Sequence, residues 1–260
     1  MARSTVACAT DLAAGRPRGH AASVPLHDQR SIARPGSFNL RDLGGLPTAD
    51  GAAVRRGQVF RSDYPGFVTA DGGRWLGETG LATVVDLRRG SEAALECVDW
   101  AAYDVAYLRR PLVAGSTDSW HARYRAYLDC RPDSVVAAVR DVMAGANHPV
   151  LFHCAAGKDR TGTLAALLLD VLRVPRDAII ADYVASAASV APVLARLMRI
   201  ELYAAMLADS SVELQTPRAD DMAAFLDWLA NRGGAQGWLT THGLPPTELD
   251  AFRRRMVKPL

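Results

Sequence analysis

An apolar run, a loop of small residues and an apolar helix follow one another within residues 149–172, and this succession constrains the fold more than any other feature. The run Pro149–Phe152 predicts a short buried strand, and Thr163–Leu172 predicts a largely buried helix. The residues between them therefore lie at a strand end and a helix N-terminus, where backbone N–H groups have no intrahelical partner. Because such a loop binds anions, we expect an α/β fold with an anion site at this point.

The loop carries a cysteine and an arginine six positions apart, Cys154 and Arg160, and Ala155, Ala156 and Gly157 follow the cysteine. A thiol beside a helix N-terminus ionises readily, and the thiolate is a nucleophile. The three small residues leave their amides uncovered for phosphate oxygens, and the planar Arg160 fork can bind two oxygens at once. The spacing therefore predicts phosphoryl transfer through a phosphocysteine.

The other side chains of the loop are predicted to support this chemistry. The Thr161 hydroxyl is placed to donate to the sulfur, and His153 is expected to orient the loop through backbone groups. Lys158 adds rim charge that favours substrates with several phosphates, and a solvated surface lysine is the alternative. Asp159 can serve as general acid or orient Arg160. For the loop as a whole, the alternative is a buried structural cysteine beside a locally paired arginine.

On these residues the chain resembles the bacterial atypical protein tyrosine phosphatases, which are cysteine-dependent and also act on phosphoinositides. His153–Gly162 matches their loop of His-Cys, five residues and Arg-Ser/Thr, with the narrower ending Gly-Lys-Asp-Arg-Thr-Gly. The segments Phe38–Gly45, Val59–Asp63 and Thr83–Arg88 recur in that family in the same order. The resemblance covers about residues 36–190 with gaps. It implies a metal-independent phosphatase without a cofactor, acting on phosphotyrosine proteins with dual-specificity and phosphoinositide activity.

A tyrosine phosphatase also needs a general acid for the leaving oxygen. Asp86 is the first candidate, because it ends a predicted strand and the resembling family has an aspartate in this segment. The alternative for Asp86 is a structural carboxylate that pairs with Arg88. Asp159 and Asp118 are the other candidates, and the choice among the three stays open.

Strands alternate with helices along the chain, which predicts a central, mostly parallel sheet flanked by helices, as in tyrosine phosphatases. Residues 1–30 lack apolar periodicity, so we predict a disordered tail followed by a single phosphatase domain over 31–260. Residues 176–208 predict a helical insertion after the loop helix, which either packs in the core or forms a mobile lid. Further strands and helices are predicted at 57–61, 81–86, 102–108, 69–79, 120–128, 133–144, 177–183 and 190–207.

Composition disfavours several other classes of protein. With 30 basic and 28 acidic residues the net charge is +2, and no basic run indicates nucleic-acid binding. The four cysteines have no metal-type spacing, so no metal is expected. A catalytic thiolate needs reducing conditions, which predicts a cytoplasmic protein or one secreted by a signal-less route, since no apolar signal core is present. No stretch is expected to be long enough to span a bilayer.

Two other functions are consistent with a cysteine in an anion loop. A rhodanese-like sulfurtransferase carries a persulfide on a similar loop, and the segments at 39–45 and around Asp86 disfavour it. A non-catalytic phosphate-binding module would be favoured by loss of the cysteine or the arginine, and Cys154 and Arg160 are both present.

Overall fold

A computed structural model of the chain describes residues 29–259. Its main sheet has five strands in the order β1-β3-β6-β4-β5, and β2 and β7 form a separate antiparallel pair. The strands are β1 (Arg41–Asp42), β2 (Ala52–Val54), β3 (Val59–Ser62), β4 (Thr83–Asp86), β5 (Ala106–Arg109), β6 (Val150–His153) and β7 (Val257–Pro259). The pairs β3–β6, β4–β6 and β4–β5 are parallel and β1–β3 is antiparallel, so the predicted mostly parallel sheet is confirmed.

Helices flank this sheet, as predicted. They are α1 (Phe67–Ala70), α2 (Arg74–Thr79), α3 (Gly90–Leu95), α4 (Trp120–Cys130), α5 (Pro132–Met143), α6 (Asp159–Val171), α7 (Arg176–Val184), α8 (Val190–Leu197), α9 (Glu201–Met206), α10 (Val212–Gln215), α11 (Ala219–Ala230), α12 (Gly234–Thr241) and α13 (Pro246–Met256).

Alternate residues of the central strand β6 enter two different cores. Val150 and Phe152 pack in the larger core, which also contains buried residues of α4 to α7 and α11 to α13. Leu151 packs in a second core with Val84 and Trp75, on the side of α1 and α2. Side chains of a strand alternate between the faces of a sheet, and a parallel strand covered on both faces is apolar throughout. This explains the uninterrupted apolar run before the cysteine.

The carboxyl ends of three strands lie in register at one edge of the sheet. His153 of β6 pairs with Ser62 of β3 on one side and with Asp86 of β4 on the other. The residues that follow these strand ends, including Cys154, therefore meet at this edge, where ligands bind in parallel sheets.

Three predicted helices differ from those observed. The helix predicted at 69–79 is two short helices, because Gly72 and Gly73 between them have φ values of +65° and +77°. The run at 190–207 is likewise divided into α8 and α9. The loop helix begins at Asp159 rather than Thr163.

The insertion at 176–208 has two parts. In α7, Ile179 and Tyr183 are buried in the larger core, whereas α8 and α9 lie beside the cysteine loop. By length and composition alone, the helical run Arg176–Leu197 matches a membrane-spanning helix, with a mean hydropathy of 1.7 and 39% burial of its most apolar window. A core helix meets the same criteria, and Ile179 and Tyr183 of α7 pack in the core, so this match is not by itself evidence of a membrane span.

The predicted N-terminal tail falls almost wholly outside the described residues. Arg30, its last residue, is buried: its guanidinium donates to the Asp42 carbonyl and pairs with Asp182 of α7. The boundaries of the predicted single domain stay a prediction.

Candidate active site

Cys154 lies immediately after β6, at a cavity of about 810 Å³. The cysteine is 2% exposed, and the Gly157 amide donates to its sulfur at 3.3 Å. Ala155, Ala156 and Arg160 line the same cavity. The segment 154–160, called the phosphate loop below, therefore surrounds the sulfur as an anion-binding loop requires.

Two carbonyl groups of the phosphate loop are held from the side away from the cavity. Arg61 Nη2 donates to the Gly157 carbonyl at 2.8 Å, and Asn39 Nδ2 donates to the Ala156 carbonyl at 3.1 Å. A peptide unit is planar, so a carbonyl turned outward turns the next amide inward. These two side chains thus direct the amides of the loop toward the sulfur.

The Ala155 carbonyl is held in the same way, but by two further elements. The Tyr64 amide donates to it at 3.3 Å and Arg196 of α8 donates at 2.6 Å. Arg196 also pairs with Glu96 at the end of α3. Helix α8 is thus joined to the phosphate loop by a charged hydrogen bond.

Glycine is required at position 157 for two reasons. Its φ is +68°, a conformation that side chains with a Cβ rarely adopt, and a Cβ there would lie 2.5 Å from the Asp63 amide nitrogen. Asp63 is itself held in place, since Oδ1 accepts from the amides of Phe38 and Asn39 at 3.2 and 3.0 Å. The close approach of loop and strand end therefore depends on the absence of a side chain at Gly157.

Arg61 belongs to a buried charge cluster. Asp182 of α7 pairs with Arg30 at 2.8 Å, Arg41 at 3.2 Å and Arg61 at 2.5 Å. Burial alone would raise the pKa of Asp182, but the three guanidinium charges outweigh it and hold that pKa far below its ordinary value. Arg61 therefore pairs with Asp182 and supports the phosphate loop from outside the cavity.

Arg160 is held by an acidic residue that the sequence did not single out. Glu92 of α3 accepts from Nη1 and Nη2 of Arg160, each at 2.7 Å, and from the Tyr203 hydroxyl of α9 at 3.2 Å. Burial would raise the pKa of Glu92, but its hydrogen bonds to Arg160 and the Arg89 amide outweigh it and lower that pKa. No motif marks Glu92, because its partner is 68 residues away in the chain.

Asp86 does not line the active-site cavity. It is fully buried, accepts a forked pair of hydrogen bonds from Arg88, and accepts from the Tyr107 hydroxyl at 2.8 Å. Burial opposes ionisation, but the hydrogen bonds and the charge of Arg88 favour the carboxylate, and the pKa of Asp86 lies well below its ordinary value. An acid catalyst must reach the leaving oxygen and hold a proton, so the geometry supports the alternative of a structural carboxylate paired with Arg88.

Asp159 lines the cavity beside Arg160. Its Oδ1 accepts from the Tyr124 hydroxyl at 3.0 Å and lies 3.4 Å from Lys158 Nζ. The remaining candidate acid, Asp118, is exposed and lines a different, shallow depression. Of the three aspartates predicted as candidates, only Asp159 borders the sulfur's cavity.

Lys158 is neither a solvated lysine nor a free charge at the rim. It is 3% exposed, and its Nζ donates to the Gln215 carbonyl at 2.6 Å and lies 4.0 Å from the centre of the Trp120 ring. Arg89 and Arg123 instead supply positive charge at the cavity without an ion pair within residues 29–259.

His153 and Thr161 are both buried beneath the loop. His153 Nδ1 bonds the Cys154 carbonyl at 3.2 Å, which agrees with the predicted orienting role, and burial lowers the pKa of His153 to about 4. Thr161 Oγ1 is buried and makes no hydrogen bond within the described residues, so the predicted bond to sulfur is not formed. Residues 29–259 contain no cluster of three or more His, Cys, Asp or Glu side chains able to hold a metal ion.

Helices α8 and α9 close one side of the cavity. Val193, Leu197 and Tyr203 form an apolar cluster with Ala155 of the phosphate loop. Larger apolar side chains of this region are exposed on its surface or at the cavity rim; they are Met198, Leu202, Met206, Val212 and Leu214. The second half of the predicted lid therefore has the position of a lid, and its mobility stays a prediction.

Proteins similar to this chain are phosphatases. A family model described as the tyrosine phosphatase family matches residues 32–258. A candidate tyrosine-protein phosphatase of Cupriavidus necator is 34% identical over 183 residues, which is 64% of this chain and 66%, just under two thirds, of that protein. The triple specificity protein phosphatase PtpB of Mycobacterium tuberculosis is 28% identical over 201 residues, covering 63% of this chain and 71% of that protein.

Solved structures of phosphatases also align with the chain. The core catalytic domain of the yeast PP-IP phosphatase Siw14 in complex with citrate aligns with a TM-score of 0.39 and 15% identity, covering 64% of this chain and 96% of that one. TpbA of P. aeruginosa in complex with phosphotyrosine aligns with a TM-score of 0.37 and 18% identity, covering 79% of this chain and 90% of that one.

Proposed function

Because the chain belongs to the tyrosine phosphatase family, we propose that it hydrolyses phosphate monoesters through a phosphocysteine intermediate, without a metal ion. The observation that carries this proposal is the phosphate loop: a cysteine sulfur that accepts the Gly157 amide, with Arg160 on the same cavity. The two other candidate functions, sulfur transfer and phosphate binding without catalysis, have no comparable support.

In the first step the Cys154 thiolate attacks phosphorus, and the bond from phosphorus to the ester oxygen breaks. The loop amides and Arg160 hold the other three oxygens, whose charge grows in the transition state. Asp159 protonates the leaving oxygen. In the second step Asp159 removes a proton from water, the water oxygen attacks phosphorus, and the thiolate leaves with release of inorganic phosphate.

Asp159 is proposed as the acid because, of the three candidate aspartates, it alone borders the cavity; the hydrogen bond from Tyr124 fixes the position of its carboxyl group. The test compares Asp159→Asn, Asp86→Asn and Asp118→Asn on a phosphotyrosine peptide and on an aryl phosphate with a better leaving group. Loss of the acid slows the poorer leaving group more. The assignment is wrong if Asp159→Asn slows both substrates equally and leaves the basic limb of the pH–rate profile unchanged.

The walls of the cavity favour an aromatic or lipid-linked phosphate with further negative charge. Trp120, Leu202 and Met206 supply apolar surface, and Arg89 and Arg123 supply two cations at the cavity besides Arg160. We therefore propose phosphotyrosine proteins as substrates, together with phosphoserine proteins and phosphoinositides. The name of the PtpB relative, a triple specificity phosphatase, supports this range. The thiolate requires reducing conditions, and the cytoplasm is the proposed location.

The decisive experiment measures phosphate release by the wild type and Cys154→Ser in the presence of EDTA. Substrates are a phosphotyrosine peptide, a phosphoserine peptide and vesicles that contain phosphorylated inositol lipids. Cys130→Ser is the matched control, because Cys130 is an exposed cysteine away from the cavity. The proposal fails if no substrate shows release that depends on Cys154. A charge-reducing pair, Arg89→Gln and Arg123→Gln, is expected to affect lipids with several phosphates more than the monophosphorylated peptide.

A further inference from the structure

A second cavity, of about 480 Å³, lies against α3 and shares no lining residue with the active-site cavity. Helix α3 and the residue before it form the wall between the two. Arg89, Ser91 and Glu92 line the active site, whereas Gly90 and Ala93 line the second cavity. The second cavity is therefore a separate space that adjoins the element holding Arg160.

Two guanidinium groups supply hydrogen-bond donors to this cavity. Arg88 is 2% exposed; its Nε and Nη2 bond Asp86, but Nη1 has no hydrogen-bond partner and lies 4.0 Å from the carboxylate of Glu96. Arg109, at the end of the edge strand β5, lines the cavity and forms no ion pair within the described residues. A buried donor without a partner is unfavourable, and guanidinium groups are strong binders of phosphate and carboxylate.

Two acceptors lie beside these donors. Because His153 Nδ1 donates to the Cys154 carbonyl, the neutral ring has its lone pair on Nε2. That nitrogen is buried without a hydrogen-bond partner, 3.8 Å from Asp86, and His153 lines the cavity. The Tyr107 hydroxyl, also at the cavity, donates to Asp86, so its oxygen can accept.

The remaining walls are mostly apolar, with Pro65, Val98 and Trp100 among them. Asp99 is the one carboxylate of the described chain that lines the cavity, and it accepts from the Ala102 amide. The volume is within the range of small-molecule sites, about 300–1,000 Å³.

We propose that this cavity binds a small organic anion that carries hydroxyl groups beside a phosphate or carboxylate. The anion bonds Arg88 and Arg109, a hydroxyl donates to His153 Nε2 or Tyr107, and the carbon skeleton packs against Trp100. An inorganic anion would satisfy the cations but leave the acceptors and the apolar wall unused. The site goes beyond the proposed phosphatase activity and does not depend on it.

Fluorine NMR of protein labelled with 5-fluorotryptophan tests this, because Trp100 lines the second cavity and Trp120 lines the active site. Cys154→Ser prevents turnover. The probes are glucose 6-phosphate, gluconate and inorganic sulfate, which separate the phosphate and carboxylate sources and the role of the hydroxyl groups. We expect the Trp100 signal to shift saturably with one or both organic probes, and with sulfate only weakly.

Single substitutions at each cavity show whether the organic probes bind in the second cavity or in the active site. Arg109→Gln removes one cation and Tyr107→Phe one acceptor, and Arg109→Gln is expected to weaken the binding measured at Trp100 about fivefold or more. Arg89→Gln, at the active-site rim, is the matched control and is expected to affect only the Trp120 response. Arg109→Lys should restore part of the affinity, and circular dichroism verifies folding.

Three results would overturn the proposal. The first is a Trp100 signal that does not move with either organic probe up to about 10 mM, a concentration ten times the Kd of a ligand that binds with a Kd of about 1 mM. The second is equal affinity at Trp100 for folded wild-type and Arg109→Gln protein. The third is sulfate binding as tight as that of the organic probes, which would remove the hydroxyl requirement. Phosphatase activity, measured separately, does not enter these outcomes.

Discussion

Replacement of Glu92 by glutamine is the most direct test of how the site is held together. The glutamine keeps one carbonyl oxygen for Arg160 and loses one of the two charge-assisted hydrogen bonds, both 2.7 Å in the wild type. Such a bond contributes about 1.5–3 kcal/mol, and since both side chains are largely buried we take about 2 kcal/mol. At about 1.4 kcal/mol per factor of ten, kcat/KM is expected to fall about 30-fold.

The separate effects of Glu92→Gln on kcat and on KM show whether Glu92 positions Arg160 for the transition state. A guanidinium group has five N–H donors, so Arg160 retains three for phosphate oxygens while Glu92 occupies two. If Glu92 orients these three N–H donors of Arg160 toward the transition state, kcat of Glu92→Gln falls by a larger factor than its KM rises.

The assay is steady-state hydrolysis of a phosphotyrosine peptide, with urea unfolding to show that the fold is intact. Glu78→Gln is the control, because Glu78 pairs with Arg34 at the surface of α2. An unchanged kcat/KM in folded Glu92→Gln protein refutes a positioning role, and an increase would show that Glu92 restrains Arg160 instead.

Three further changes have defined outcomes. Asp182→Asn leaves buried guanidinium groups without their carboxylate, so the free energy of unfolding at neutral pH should fall by about 3–5 kcal/mol in urea titrations. Because the pKa of Asp182 is depressed in the folded state, the carboxylate stabilises the fold above its unfolded pKa of about 3.9, and this stabilisation is lost as the pH falls below that value. The stabilities of wild type and variant should therefore converge in acid. Gly157→Ala places a Cβ against the Asp63 amide, so phosphatase activity should fall at least as far as in Glu92→Gln, and wild-type activity would contradict the loop geometry. Arg196→Gln removes the hydrogen bond from α8 to the Ala155 carbonyl, so hydrogen exchange in 190–207 should become faster than in α7, and slow exchange matching the core would count against a lid.

The parts of the fold that could be predicted are those specified by neighbouring residues. The apolar run of β6 and the apolar helix α6 mark their own structure, because both are buried on most sides. Their junction predicts an anion loop, since strand end and helix start are adjacent in the chain. The helix begins four residues before its predicted start, because Asp159 to Gly162 have no apolar periodicity but already form the first turn.

The parts that could not be predicted depend on partners far along the chain. The sequence predicts Lys158 at the rim, but Gln215, 57 residues later, accepts a hydrogen bond from its ammonium group. Asp86 follows the pattern of a catalytic strand-end carboxylate, and only the position of Arg88 and Tyr107 around it shows a structural one. The positions of Asp86 and Asp159 in the sequence do not reveal which of the two carboxylates lines the active-site cavity.

Hydrogen bonds to the carbonyl groups of the phosphate loop explain why the segments Phe38–Gly45 and Val59–Asp63 accompany it in the sequence. Asn39 and Arg61 each donate to a loop carbonyl, although they lie 117 and 96 residues before their partners. Without such donors, outward carbonyl groups in a buried loop would be unsatisfied, and the loop could turn them toward the cavity and repel phosphate. A cysteine and an arginine at the right spacing therefore do not suffice for an anion site. The site also needs side chains that hold the carbonyls away from it, and in this chain they are Asn39, in the bend just before β1, and Arg61, on β3.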